Sequence, residues 1–125
     1  MRLYPAQLGA VLAFFGIALG AFGTHSLADL LTPERLATFE TGVRYQMYHA
    51  LGLLALGALP PRTHRAAWCL FMGSVLFSGS LYLLVATDVG LWGVVAPVGG
   101  VLQLIGWGWL FFSLAKQDRQ KSDVP

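Results

Sequence analysis

The chain has 125 residues, of which 56% are hydrophobic and only 11% charged, with a formal net charge of +2. A soluble domain carries about a quarter charged residues, so a small water-soluble core is a poor alternative to a membrane protein, and the length leaves room for one domain. The lone cysteine, Cys69, excludes an intrachain disulfide and any paired-cysteine metal or redox motif, and reads as a small apolar residue of the third helix.

Four apolar runs, at residues 5–23, 43–59, 66–87 and 91–115, fill most of the chain between short charged connectors. Each is near the ~20 residues that cross a ~30 Å hydrocarbon core at 1.5 Å per residue. The predicted architecture is all-α: an integral membrane four-helix bundle in one domain, with a charged tail at 116–125.

In the first run Ala6, Gly9, Ala13, Gly16, Gly20 and Gly23 recur at spacings of 3, 4, 3, 4 and 3, which puts them on one helical seam. In lipid, small residues mark faces where backbones approach closely. The seam fits either an oligomer contact or packing within the chain, the second being preferred. Met1-Arg2, the apolar run and Ala21-Phe22-Gly23 also resemble a signal peptide with a small-residue cleavage site. A disposable segment needs only hydrophobicity, however, and this one carries the finer seam.

The connector at residues 24–42 contains Thr32-Pro33-Glu34, a helix start with a hydroxyl cap, proline in the first turn and a carboxylate at the positive end. Residues 33–41 are predicted to form a short amphipathic helical segment that projects from the membrane or bends onto it at Gly42. The second run should reach Leu59, where Pro60-Pro61-Arg62-Thr63-His64-Arg65 forms a basic turn with His64 solvated. The third run carries Gly73, Ser74, Ser78, Gly79, Ser80 and Tyr82. The fourth carries Pro97, Gly99-Gly100 and Gln103, with Trp92 near one end and Trp107 and Trp109 near the other as an interfacial belt. From Lys116 the tail is expected to fray.

The sequence pI near 9.0 does not point to nucleic acid, because the basic residues sort by membrane side. With four spans, Arg2, Arg62, Arg65, Lys116, Arg119 and Lys121 share one side, and only Arg35 and Arg44 lie on the other. The positive-inside rule then places both termini in the cytoplasm (N-in/C-in), with the chain multi-pass.

The most polar stretch inside a run is Arg44-Tyr45-Gln46-Met47-Tyr48-His49. On a helix Tyr45, Gln46, Tyr48 and His49 share one broad face and Met47 points away. Polar side chains at membrane depth face the bundle interior, so these residues, with His25 at the end of the first helix and Ser78 and Tyr82 on the third, form a candidate polar pocket. They make either a hydrogen-bonded belt between helices or a ligand or ion site. Two histidines on different helices are the minimum for haem ligation, but no Glu-x-x-His or CxxCH accompanies them, so neither cofactor nor metal is expected. Ser78-Gly79-Ser80 lacks a carboxylate within a span to complete a triad. The same lack separates the chain from small drug/proton antiporters, which depend on a membrane-embedded carboxylate. It is read as a non-enzyme.

Four segments carry a family resemblance: Gly20-Ala21-Phe22-Gly23-Thr24-His25, then Thr41-Gly42-Val43-Arg44-Tyr45-Gln46-Met47-Tyr48-His49-Ala50-Leu51, Leu76-Phe77-Ser78-Gly79-Ser80-Leu81-Tyr82 and Pro97-Val98-Gly99-Gly100. In this order they resemble the YgdD-like family of small bacterial inner-membrane proteins, to which a small animal transmembrane protein is related. Thr24 stands where alanine is more usual. The resemblance implies the fold and the location and carries over no substrate. The leading expectation is a structural, interaction or accessory protein, with lipid and a homo-oligomer or larger membrane complex as partners. The alternative is binding or translocation of a small molecule or ion through the outer polar pocket.

Overall fold

Residues 4–122 are described by a computed structural model, Lys121 by its backbone alone. Arg2, used in reading the charge asymmetry, lies outside the described residues. The described chain is all-helical: α1 spans Pro5–Phe22, α2 Pro33–Leu56, α3 His64–Thr87 and α4 Leu91–Ser122. A wide π-helical turn, Gly23–Leu27, prolongs α1, and a 3-10 turn, Pro61–Thr63, leads into α3.

Local chemistry sets these ends. Pro5 begins α1, and the Gln7 side chain accepts the Tyr4 backbone N–H at 2.9 Å. The Thr32 hydroxyl accepts from the Arg35 backbone N–H at 3.4 Å, with Pro33 first in α2. Asp88, at φ 56°, closes α3 in the left-handed conformation, where a polar side chain is tolerated better than a branched one.

The helices pack in chain order, α1 on α2, α2 on α3 and α3 on α4, with α1 only brushing α3. Glycine contacts show the α1–α2 and α3–α4 pairs to be antiparallel. Along α1–α2, Gly57 lies against Ala6, Gly9 against Ala50 and Leu54, Gly16 against Met47, and Gly23 against Phe39. Along α3–α4, Gly99 meets Phe77 and Gly106 meets Leu70. The apolar core gathers Leu8 and Leu12, Ala50, Leu53 and Leu56, Ala66, Ala67 and Leu70, and Leu110, so all four helices contribute to it. It lies toward the end that holds the start of α1 and the α2–α3 turn.

Several sequence-based expectations are corrected. Of the two courses expected at Gly42 the bend is absent: α2 runs unbroken through it, so the outer amphipathic segment is the first part of the same helix. That glycine serves close approach, since a Cβ there would sit 2.7 Å from Cε1 of the Tyr82 ring. α2 stops at Leu56, short of Leu59. The prolines after it start the 3-10 turn, whose Thr63 hydroxyl donates to the Pro60 carbonyl at 2.9 Å. His64 is half-buried, its ring edge-on to Tyr4 at 6.2 Å. α4 continues to Ser122, because residues 116–122 hold no breaker; their polarity marks a change of solvent and not a helix end. Trp107 lies near the middle of α4, beside α2.

Three helical stretches, Pro5–Leu27, Pro61–Thr87 and Leu91–Gln120, are long and apolar enough to cross a membrane by length and composition. α2 is the exception, since Glu40, Arg44, Gln46 and His49 dilute its apolar run.

Candidate functional site

The buried stripe of α2 is Phe39, Gly42, Gln46, His49 with Ala50, Leu53 and Leu56, recurring every three or four residues. Two polar side chains therefore enter the interior at mid-helix. Gln46 Nε2 donates to the Leu12 carbonyl of α1 at 2.8 Å, and Gln46 Oε1 accepts the Tyr82 hydroxyl of α3 at 2.8 Å. One amide thus straps three helices. The Leu12 carbonyl can only accept, which fixes which end of the amide faces it. Beside this strap, Ser78 Oγ donates to the Gly42 carbonyl at 2.7 Å.

His49 makes a separate clasp. Its Nδ1 lies 2.8 Å from the Tyr45 carbonyl, which can only accept, so Nδ1 carries the proton. Nε2 is then free to accept the Trp107 indole N–H of α4 at 3.2 Å. Both ring nitrogens are occupied by the neutral imidazole, and protonation of Nε2 would remove its acceptor.

The six residues predicted to share one pocket are thus divided. Gln46, Tyr82 and Ser78 come together between α1, α2 and α3. His49 faces Trp107. Tyr45 is 41% exposed, contributes its carbonyl, and sets its ring tilted against Phe77 and edge-on to Tyr48 at 5.0 and 5.7 Å. His25 is exposed in the π-helical turn and hydrogen-bonds none of the others. Gln46 and His49 face the interior, whereas Tyr48 points outward and Met47 turns onto Gly16, because the α2 interior is divided between α1 and α3. Leu12, whose carbonyl accepts from Gln46, is buried in the core.

The glycines place the helix approaches. A Cβ on Gly9 would lie 2.6 Å from the Ala50 carbonyl oxygen, and one on Gly99 2.4 Å from the Phe77 backbone nitrogen. Gly16, Gly20 and Gly23 face side chains of Met47, Val43 and Phe39 instead. Gly100 has only the Phe77 ring at 3.8 Å, so it is not a close approach.

Trp107 and Gln103 were missed as site residues. On α4, Ala96, Gly99, Gln103, Gly106 and Leu110 form a buried seam at spacings of 3, 4, 3 and 4, and an amide in such a seam is the available signal. Gln103 is buried and its Nε2 has no hydrogen-bond partner among the described residues; Ser74 Oγ is in the same position on α3. A cleft of about 400 Å³ runs between α2, α3 and α4, bordered by Tyr45, His49, Phe77, Gln103 and Trp107. Its walls are mainly apolar with a few convergent polar groups, the usual character of a small-molecule site. Among the described residues no group of three or more His, Cys, Asp or Glu is placed to hold a metal ion.

Comparison with known proteins agrees with this architecture of apolar helices. The family model described as "Protein of unknown function (DUF423)" matches residues 19–100. The UPF0382 membrane protein of Staphylococcus epidermidis is 46% identical over 104 residues, covering 80% of this chain and 85% of that protein. YwdK of Bacillus subtilis, a UPF0382 membrane protein, is 42% identical over 106 residues, covering 80% and 86%. The inner membrane protein YgdD of Escherichia coli is 36% identical over 116 residues, covering 89% and 88%. No solved structure matches the chain. With a family match over most of its length and three helices able to span a bilayer, the chain is a multi-pass membrane protein that belongs to the DUF423 family, the UPF0382 membrane proteins that include YgdD.

Proposed function

We propose that the chain is a four-helix bundle spanning the membrane four times, with both termini cytoplasmic, and that it acts as a non-enzymatic accessory or interaction protein. One observation carries the non-enzymatic reading. The polar residues Gln46, His49, Ser78 and Tyr82 are committed to other helices or to their own backbone. A nucleophile, base or ion relay needs a group free to exchange partners, and the carboxylates that would serve lie outside the proposed spans. α2 enters the bilayer as part of the bundle, with Gln46 partnered by α1 and α3 and His49 by α4. Exposed apolar faces on α1, with Phe14, Phe15 and Ile17, and on α4, with Val94, Val98 and Val101, meet lipid or a second membrane protein. The six-to-two sorting of Lys and Arg supports the orientation. Reporters fused after Arg65 and at Pro125 should read cytoplasmic, and one inserted near Glu34 external; an external C-terminal reporter would refute the orientation or the span count.

A second reading rests on Gln103. Gln103 and His49, on the wall of this mainly apolar cleft, favour reversible binding of a small molecule held between α2, α3 and α4. Purification in mild detergent followed by mass spectrometry of bound small molecules tests it. A co-purifying species retained by the wild type and lost in Gln103→Leu supports binding, and equal retention by both removes it.

A further inference from the structure

At the end of the molecule that holds the α2–α3 turn, α4 extends beyond the start of α3. The residues facing that step from α4 are Trp109, Ser113, Lys116 and Gln120, at spacings of 4, 3 and 4, so they climb one side of the helix. Opposite them stand Arg62, in the 3-10 turn, and Arg65, in the first turn of α3. Together the six line a cleft of about 500 Å³. Three of them are cations, two are neutral hydrogen-bonding groups, and none is a carboxylate. Like charges facing one cleft repel each other until an anion enters it. Arginine adds a planar fork of donors that matches phosphate oxygens.

We propose that this cleft binds the phosphate of an anionic phospholipid. The choice of a lipid over free phosphate follows from what adjoins the charges. Trp109 forms the wall of the cleft away from the chain end, and Trp68, one turn after Arg65, and Phe112, one turn before Lys116, are exposed. A headgroup seated among Arg62, Arg65 and Lys116 would lay its acyl chains along these rings, at the depth where tryptophan is favoured. The site lies apart from the polar straps and from the Gln103 cleft. It requires only that the chain lie in a bilayer, not a particular orientation.

The test uses the whole protein in neutral detergent, with native mass spectrometry against phosphatidylglycerol and phosphatidylcholine of identical acyl chains. Wild type should retain phosphatidylglycerol about tenfold better, and each cation removed, Lys116→Gln or Arg65→Gln, should weaken that retention by about fivefold. Arg119→Gln, an exposed cation outside the cleft, should leave it unchanged. Lys116 is exposed on the protruding part of α4, so its replacement leaves the packed core intact and keeps the test decisive. Equal retention of the two lipids, or an equal loss in Arg119→Gln, would overturn the site. Displacement of phosphatidylglycerol by millimolar inorganic phosphate would overturn the lipid assignment in favour of a free anion.

Discussion

Among single residues, the glycines divide sharply by what a methyl group would meet. At Gly99 a Cβ would press on the Phe77 backbone, which cannot move without separating α3 from α4, whereas at Gly79 there is nothing within 4 Å. Gly99→Ala should therefore cost about 1–3 kcal/mol, as overpacking does. Gly79→Ala should be neutral or stabilise by up to about 1 kcal/mol through helix propensity. Thermal melts in detergent distinguish the two, and equal melting temperatures would show that the α3–α4 approach is looser than described. The α1 seam was legible in the sequence because its small residues keep a strict helical spacing. Which of them touch backbone and which touch side chains was not, because that depends on the register of α2: Gly9 falls opposite the Ala50 carbonyl, while Gly16 falls opposite a flexible methionine.

Between elements, stability is shared by two independent clasps. Gln46→Leu and Tyr82→Phe remove the two ends of one hydrogen bond, so their costs should combine sub-additively by about 0.6 kcal/mol, and by no more than about 1.7. His25→Ala and His49→Ala, whose side chains share no partner, should add to within about 0.5 kcal/mol. Unfolding in denaturing detergent measures both cycles; coupling between the histidines would mean that the His25 side chain reaches the His49 clasp. A third tie operates at the opposite end. The Arg35 guanidinium, in the first turn of α2, donates to the Val85 carbonyl, one of the last carbonyls of α3, which the ending helix leaves without an intrahelical partner. Arg35→Ala should cost about 1 kcal/mol and speed amide exchange in the last turn of α3. Glu34→Gln beside it should do neither, and unchanged exchange in Arg35→Ala would remove the cap. Arg35 was read from the sequence only as a charge in a connector, because a cap supplied from 50 residues away leaves no local pattern.

For the whole molecule, α2 is the element that depends on the others. Arg44, Gln46 and His49 each disfavour insertion, by up to about 3 kcal/mol for a charged residue at the centre of a span. In a glycosylation-based insertion assay α2 alone should insert much less than α3 alone, and the α1–α2 pair should restore it by offering the Leu12 carbonyl to Gln46. Equal insertion of isolated α2 and α3 would refute that dependence. Composition and the length of the apolar runs sufficed to establish lipid as the solvent and helix as the only regular structure, since a bilayer permits few ways to satisfy a backbone. The polar positions of α2 were also visible, because polar residues at that depth are rare. What only the tertiary structure decided is whether those groups are free or spent. A single-chain pattern gives the face on which a side chain lies, but its partner is set by how neighbouring helices rotate and slide against one another. That register gave Gln46 the Leu12 carbonyl and Tyr82, gave His49 the Trp107 indole, left His25 outside, and exposed in Gln103 the one buried amide nitrogen still without a partner among the described residues.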